Sequence, residues 1–85
     1  MNNSDDFINC GKTMKYWVDV TPFKCLGFPH LFLRAYSDRD NKYCLIELPG
    51  YKVGQVNNMT YEDVNEVLQW IHKNTQQVYE VAIGG

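Results

Sequence analysis

The sequence has few of the residues on which catalysis and metal binding usually depend. It contains two histidines, His30 and His72, and two serines, Ser4 and Ser37, both in polar stretches. No GxGxxG, GxxxxGK or GxSxG motif occurs, so the sequence carries none of these nucleotide-binding or nucleophilic-serine signatures. One spacing of metal-ligand type, Cys25 to His30, lacks a partner pair such as CxxC or HxxxH. We therefore expect a protein that is not an enzyme and holds no metal or other cofactor.

Long apolar runs and a secretory leader are also missing. No stretch approaches the ~18 apolar residues of a membrane span, and the opening MNNSDDFINC is polar and acidic where a signal peptide is basic and then apolar. The three cysteines are odd in number and show no paired spacing. A formal net charge of -2 gives no attraction for nucleic acid or anionic lipid. These absences predict a reduced, cytoplasmic protein that binds no membrane, and they make nucleic acid a less favoured partner than protein.

The residues that are present predict a single small α+β domain. A chain of 85 residues with 45% hydrophobic content can form one core but not two. Residues 1–13 are a polar leader of the kind that is often mobile, which leaves 14–85 as the domain. From Lys15 to Val20, apolar and polar residues alternate with the period of a half-buried strand. Residues 21–30 contain two prolines and a glycine, which favour a connection.

The segment from 30 to 48 predicts a β-hairpin, because two apolar runs flank the polar turn sequence SDRDNK. If Tyr36 lies opposite Tyr43, Leu33 lies opposite Ile46, and the same face carries Leu31, Ala35, Cys44 and Leu48. That face is the predicted core, where burial should raise the pKa of the Cys44 thiol. The opposite face, extended by the neighbouring strand, carries the candidate binding residues: Trp17, Phe32, Arg34, Tyr36, Tyr43 and Glu47.

The C-terminal third predicts a loop, a helix and a last strand. Residues 49–58 contain a proline and two glycines and are expected to form a loop. A helix should begin after Thr60 as the N-cap, with one apolar stripe formed by Val64, Val67, Leu68 and Ile71. Residues 76–83 fit either a helix or a strand, and their β-branched and aromatic content favours a strand. The predicted architecture is a small antiparallel sheet with one helix packed on one face.

The uncovered sheet face is the main indication of function. One helix can cover only one face, and aromatic residues and arginine dominate the energies of protein interfaces. We therefore expect a protein partner, or self-association, through the face that carries Trp17 and Tyr36. If the leader or the 21–30 connection covers these rings, the face is structural. The helix flank around Trp70, Glu66 and Lys73 then becomes the better candidate.

Three resemblances extend this interpretation. From Phe28 to about Ala82 the chain resembles a family of small bacterial proteins, often encoded beside toxin-antitoxin genes, whose signature is Pro-Pro-His-Phe-His-Val. Pro29 and His30 match it, whereas Phe28 and Phe32 replace its first proline and second histidine. The tail VYEVAIGG resembles the ends of ubiquitin-like and sulfur-carrier proteins, whose terminal carboxylate is activated. The small acidic chain is also similar to phage inhibitors of host enzymes.

These resemblances leave three functional hypotheses. The first is a non-enzymatic protein-binding module of phage or bacterial origin, acting as an inhibitor or antitoxin-like factor. The second is a carrier protein that uses the terminal pair Gly84 and Gly85. The third is a metal protein or enzyme that uses His30 and Cys25. We favour the first, because the remaining two each depend on an incomplete motif.

Overall fold

The computed structural model describes residues 7–25 and 28–84, with the side chains of 22–25, 28, 29 and 84 excepted. In this part of the chain a five-stranded antiparallel sheet precedes two helices, and the strands lie in the sheet in chain order. The elements are β1 (Ile8–Lys12), β2 (Trp17–Cys25), β3 (Phe28–Ser37), β4 (Lys42–Leu48), β5 (Lys52–Asn57), α1 (Tyr61–Lys73) and α2 (Thr75–Gly84). The fold is a small α+β fold, but its arrangement differs from the predicted one.

The central hairpin has the predicted register. Tyr36 pairs with Tyr43, and Leu33 pairs with Ile46. β2 adds to it with Trp17 opposite Tyr36. The predicted inward face forms the core against the helices, with these sheet residues all buried: Val18, Val20, Leu31, Leu33, Ala35, Cys44, Ile46 and Leu48. Burial raises the pKa of the Cys44 thiol to about 11, in the predicted direction.

Three strand segments differ from the prediction. β1 lies inside the predicted leader, where the buried Cys10 anchors it to the core, whereas residues 1–6 lie outside the described part. β2 and β3 extend into 21–30, predicted as a connection, and only 26 and 27 between them are not described. β5 occupies most of the predicted 49–58 loop and pairs with β4 through a bulge opposite Leu45. Strand pairing therefore overrides the local proline and glycine signals.

Helix α1 begins as predicted. The Thr60 hydroxyl accepts a hydrogen bond from the Asp63 backbone N–H, and the Thr60 N–H donates to the Asp63 carboxylate, which makes a capping box. Val67 and Ile71 are fully buried. Glu66 of α1 accepts a hydrogen bond from the Thr13 hydroxyl at 2.6 Å. This bond ties α1 to the turn between β1 and β2.

The strand predicted for residues 76–83 is wrong, because this segment belongs to helix α2. Asn74 is the C-cap of α1 and Thr75 is the first residue of α2, so a second helix begins directly after the first. The Asn74 side chain donates to the Trp70 carbonyl and the Thr75 hydroxyl donates to the Ile71 carbonyl, so both residues satisfy the end of α1. Val78 and Ala82, four residues apart, then bury one face of α2 in the core. Burial of this face outweighs the β-propensity of the segment.

The helices also protect one edge of the sheet. The indole of Trp70 packs over Gly11, and the side chain of Gln77 donates to the Cys10 carbonyl at 2.6 Å. Trp70 is half-buried and packs against the core. At the other edge, five of the six residues of β5 are exposed. No helix among the described residues is long and apolar enough to cross a lipid bilayer.

Candidate functional site

All six predicted binding residues lie on the sheet face opposite the helices, which we name the outer face. The strand pairing places them in cross-strand rows, because directly paired residues share a face. One row contains Trp17, Tyr36 and Tyr43 on β2, β3 and β4. The next contains Asp19, Arg34 and Leu45, and the third contains Thr21, Phe32 and Glu47.

The first row is an aromatic ladder of three rings, which we name the aromatic row. Trp17 is 39% exposed, and the ammonium of Lys12 lies 5.0 Å from the centre of its ring. Tyr36 and Tyr43 are half-buried beside it. The side-chain amide of Gln55 donates to the Tyr43 hydroxyl at 2.9 Å. This row therefore offers flat apolar surface with polar groups at both ends.

The second row is a polar network that is already satisfied within the chain. Asp19 is buried, and its two carboxylate oxygens accept hydrogen bonds from Asn9 and Arg34, each at 3.1 Å. The guanidinium of Arg34 also lies between two rings, 4.2 Å from the centre of Phe7 and 5.3 Å from that of Tyr36. Arg34 was predicted to bind a partner; in the structure one of its N–H groups donates to Asp19, the rings of Phe7 and Tyr36 lie near its guanidinium, and its side chain is 34% exposed. Its main role on this face is to neutralise Asp19 and to support the rings.

The same network acts on Tyr36. Burial, and then the negative charge of Asp19, raise the pKa of the Tyr36 hydroxyl. A phenol whose pKa lies above its ordinary value of about 10 stays protonated at neutral and mildly alkaline pH. Tyr36 is therefore a hydrogen-bond donor on the outer face and not a base.

The third row contains one charged residue, Glu47, which has a charged or polar neighbour on each side. Phe32 is 38% exposed, and the Glu47 carboxylate lies 2.8 Å from Nδ1 of His30. Lys52 of β5 pairs with Glu47 across the strands. His30 therefore orients Glu47, which lies between a ring and a lysine at the edge of the outer face.

Two recesses lie on the outer face, and Leu45 borders both. A groove of about 570 Å³ lies at the aromatic row and the β3–β4 turn, and its lining includes Tyr36, Tyr43, Arg39 and Lys42. A notch of about 110 Å³ lies at the opposite end of β4. Its lining residues are Phe32, Leu45, Ile46, Glu47, Lys52 and Gly54. Gly54 contributes to the notch because it has no side chain.

Several residues of this face were not among the predicted site residues. The alternation in β2 places Asp19 on the same face as Trp17, so this position could be predicted from the sequence. The hydrogen bond of Asp19 with Asn9 could not. Phe7, Ile8 and Cys10 are apolar residues in a polar leader, and they were the local sign that residues before 14 pack on the sheet. Nothing in the local sequence indicated Gly54, because its role depends on the pairing of β5 with β4.

The alternative candidate, the flank of α1, is largely engaged within the fold. Glu66 accepts hydrogen bonds from the Thr13 hydroxyl and the Lys15 backbone, and Trp70 covers Gly11. Lys73 is exposed. Glu66 and Trp70 therefore hold the β1–β2 turn and the edge of the sheet against α1. Because these two side chains are engaged within the fold, the outer face is the better candidate for binding a partner.

The described side chains offer little for catalysis or metal binding. Among them, no group of three or more His, Cys, Asp or Glu residues is placed to hold a metal ion. The Cys25 side chain lies outside the described part, so the suggested pairing of Cys25 with His30 cannot be located. His72 lies 3.5 Å from the hydroxyl of Tyr51, which in turn contacts the hydroxyl of Thr75. Cys10 and Cys44 are buried free thiols, each with a pKa raised to about 11 by burial, and are poor nucleophiles.

Comparison with known proteins does not assign the chain to a class. No protein-family model, no curated protein and no solved structure matches it. Functional inference therefore depends on the geometry of the outer face.

Proposed function

We propose that the protein is a non-enzymatic binding module whose outer face docks on a protein partner. The observation that supports this most directly is the aromatic row, in which Trp17 remains 39% exposed on a face that neither described helix covers. Exposed apolar surface that is rimmed by polar residues often marks a protein interaction site, and this row has polar groups at both ends. Tyrosine and tryptophan bury much area for little lost side-chain freedom and are enriched among interface residues of high energy.

The polar groups of the outer face favour a protein over nucleic acid as the partner. Asp19 and Glu47 place carboxylates among the rings, and the whole chain has a net charge of -2. Base stacking on aromatic rings normally depends on a surrounding positive surface that attracts phosphates. The mixed charges found here instead match the polar rim of a protein interface.

We further propose that docking on this face blocks the partner, as an inhibitor or antitoxin-like factor does. Two observations support this part of the proposal: the outer face carries the aromatic row, and the described residues include no group of three or more His, Cys, Asp or Glu placed to hold a metal ion. A small module of this kind acts by occupying a surface that the partner needs. An activity assay of the captured partner, with and without the module, tests this part of the proposal.

The binding face itself is tested by capture and calorimetry. The full chain with an affinity tag is used to capture partners from an extract of the native host, and mass spectrometry identifies them. Titration calorimetry then compares wild-type chain with Tyr36→Ala and Tyr43→Ala, each expected to lose about 1–3 kcal/mol of affinity. Tyr61→Ala is the matched control, because Tyr61 is 83% exposed at the start of α1 and lies off the outer face.

Two results would contradict the proposal. If Tyr36→Ala and Tyr43→Ala bind the identified partner as tightly as Tyr61→Ala does, the outer face is not the interface. If their thermal melts show losses as large as those of core substitutions, the aromatic row is structural.

A further inference from the structure

The two recesses of the outer face have a spacing and a charge that point to a particular kind of ligand. The groove lies beside Tyr43 and the notch beside Glu47, four residues further along β4. At about 3.3 Å per residue, Tyr43 and Glu47 are about 13 Å apart along the strand. Leu45 lies between them and borders both recesses.

An extended peptide has the same spacing. Its side chains at positions i, i+2 and i+4 lie on one face and span about 13 Å. With residue i in the groove and residue i+4 in the notch, residue i+2 lies over Leu45. A helix rises only about 1.5 Å per residue, so it needs about nine residues to cover this distance. The spacing of ligand contacts therefore distinguishes the two conformations.

The charges in the groove indicate what residue i is. The groove is lined by three basic side chains, Arg34, Arg39 and Lys42, and by one acidic side chain, Asp38. Asp19 neutralises Arg34, which leaves two cations against one carboxylate. In a chain with 8 basic and 10 acidic residues, this local excess of positive charge is complementary to a carboxylate.

The size of the notch indicates what residue i+4 is. A volume of about 110 Å³ corresponds to roughly four water molecules at ~30 Å³ each, so it accommodates one small aliphatic side chain. Its lining combines the apolar side chains of Phe32 and Leu45 with Glu47 and Lys52, which are neighbours across the strands. The Glu47 carboxylate lies 2.8 Å from Nδ1 of His30, so the apolar part of the lining is left to contact an aliphatic group.

We propose that the outer face binds an extended peptide segment with an acidic residue and, four positions away, a small aliphatic residue. This inference depends on the proposed function and names the class of partner. The acidic side chain lies in the groove near Arg39, and the aliphatic side chain enters the notch at Gly54.

The sharpest test adds one methyl group to the lining of the notch and leaves the fold undisturbed. A methyl group added at Gly54 would lie 3.7 Å from the Leu45 carbonyl oxygen, an ordinary contact, so Gly54→Ala is expected to fold normally. Gly50→Ala is the matched control, since no atom lies within 4 Å of a methyl group added there. Arg39→Glu, at an exposed turn position, tests the acidic contact independently.

The probe is a displayed library of random linear peptides, panned against the full chain. Enriched peptides are synthesised, and their affinities for the wild-type chain and the three variants are measured by fluorescence anisotropy. We expect a shared motif with an acidic and a small aliphatic residue four positions apart. Gly54→Ala and Arg39→Glu should each weaken binding about tenfold or more, whereas Gly50→Ala should stay within about twofold of wild type. Replacing the aliphatic residue of the peptide by glycine should weaken binding to the wild-type chain but not to Gly54→Ala.

Other outcomes overturn the inference, and they separate it from the proposed function. It is wrong if panning enriches no peptide, if the motif has helical spacing, or if enriched peptides bind Gly54→Ala as tightly as wild type. It is also wrong if the partner captured from the host loses affinity for Tyr43→Ala but not for Gly54→Ala, although the outer face then remains a protein-binding face. If that partner ignores both substitutions, the proposed function fails as well.

Discussion

Gly11→Ala is expected to be a severe substitution for this fold. Gly11 lies in β1 opposite Val18 with φ of 155°, a backbone conformation that residues with a side chain rarely adopt. A methyl group added there would lie 2.7 Å from Cη2 of Trp70 and closer still to Cζ2. The substitution therefore strains the backbone of β1 and pushes the indole away from the sheet edge that it covers.

The size of the effect follows from these two contributions. A non-glycine residue held in a sparsely populated backbone region costs about 1–3 kcal/mol. An inserted methyl group that displaces a packed ring costs about 1–3 kcal/mol more. The free energy of unfolding should therefore fall by roughly 2–6 kcal/mol, a large part of the ~5–15 kcal/mol typical of a small domain.

Urea unfolding followed by far-ultraviolet circular dichroism measures this loss, and a double-mutant cycle divides it. In a Trp70→Ala background the ring is absent, so Gly11→Ala should cost only the backbone contribution and its effect should shrink by about 1–3 kcal/mol. Gly50→Ala serves as the control and should change stability by less than about 0.5 kcal/mol. A loss below about 0.5 kcal/mol for Gly11→Ala would refute the packing argument. An equal loss in both backgrounds would show that Trp70 is not the obstacle.

Three further predictions concern stability. Leu33→Ala removes buried methyl groups from the centre of β3 and should cost about 2–5 kcal/mol in urea melts, so a loss under about 0.5 kcal/mol would place the wrong face inside. Thr60→Ala removes the N-cap acceptor of α1 and should cost about 1 kcal/mol, with an unchanged melt counting against the capping box. The hydrogen bond with the Thr60 backbone lowers the pKa of Asp63. This lowered pKa stabilises the folded state at pH values above the unfolded-state pKa of an aspartate, about 4, and the stabilisation is lost as pH falls through the lower pKa that Asp63 has in the folded state. In Asp63→Asn the free energy of unfolding should therefore fall less steeply with decreasing pH below about 4 than in the wild-type chain. The same pH dependence in both proteins would contradict this.

The central hairpin and the start of α1 were predictable because their signals are local. Two apolar runs around a six-residue polar turn leave few registers that bury one face, and the register with Tyr36 opposite Tyr43 is the one observed. Thr60 followed three residues later by an acidic residue is a helix start that depends only on neighbouring residues. Short-range chemistry decides both features, so the sequence alone is enough to identify them.

The edge strands and α2 were not predictable in the same way. β1 is short and contains Gly11, and its place in the sheet depends on Trp70 and Gln77, which are about sixty residues away in the chain. In the same way, the helical choice for α2 is set by burial of Val78 against strands that its own sequence does not specify. Local propensity favours a strand there, and tertiary packing reverses the outcome.

The candidate site combines both kinds of information. The pleat assigns Trp17, Phe32 and Tyr43 to the outer face once one cross-strand pair is known, so their shared location follows from the sequence. Their availability does not, because a residue on an open face can still be occupied by its neighbours. Arg34 illustrates this point, since its contacts with Asp19 and Phe7 come from two other segments of the chain.

The notch at Gly54 shows most clearly why shape needs the complete sheet. Sequence alone interprets Gly54 as a turn residue in a loop, because glycine is rare in strand interiors. In the sheet it stands beside a bulge opposite Leu45, and the missing side chain becomes an opening between Phe32, Glu47 and Lys52. The walls come from three strands, so no window of the sequence contains them together. A binding face can therefore be predicted from alternation, but the recess that selects a ligand appears only when β5 is paired in its register.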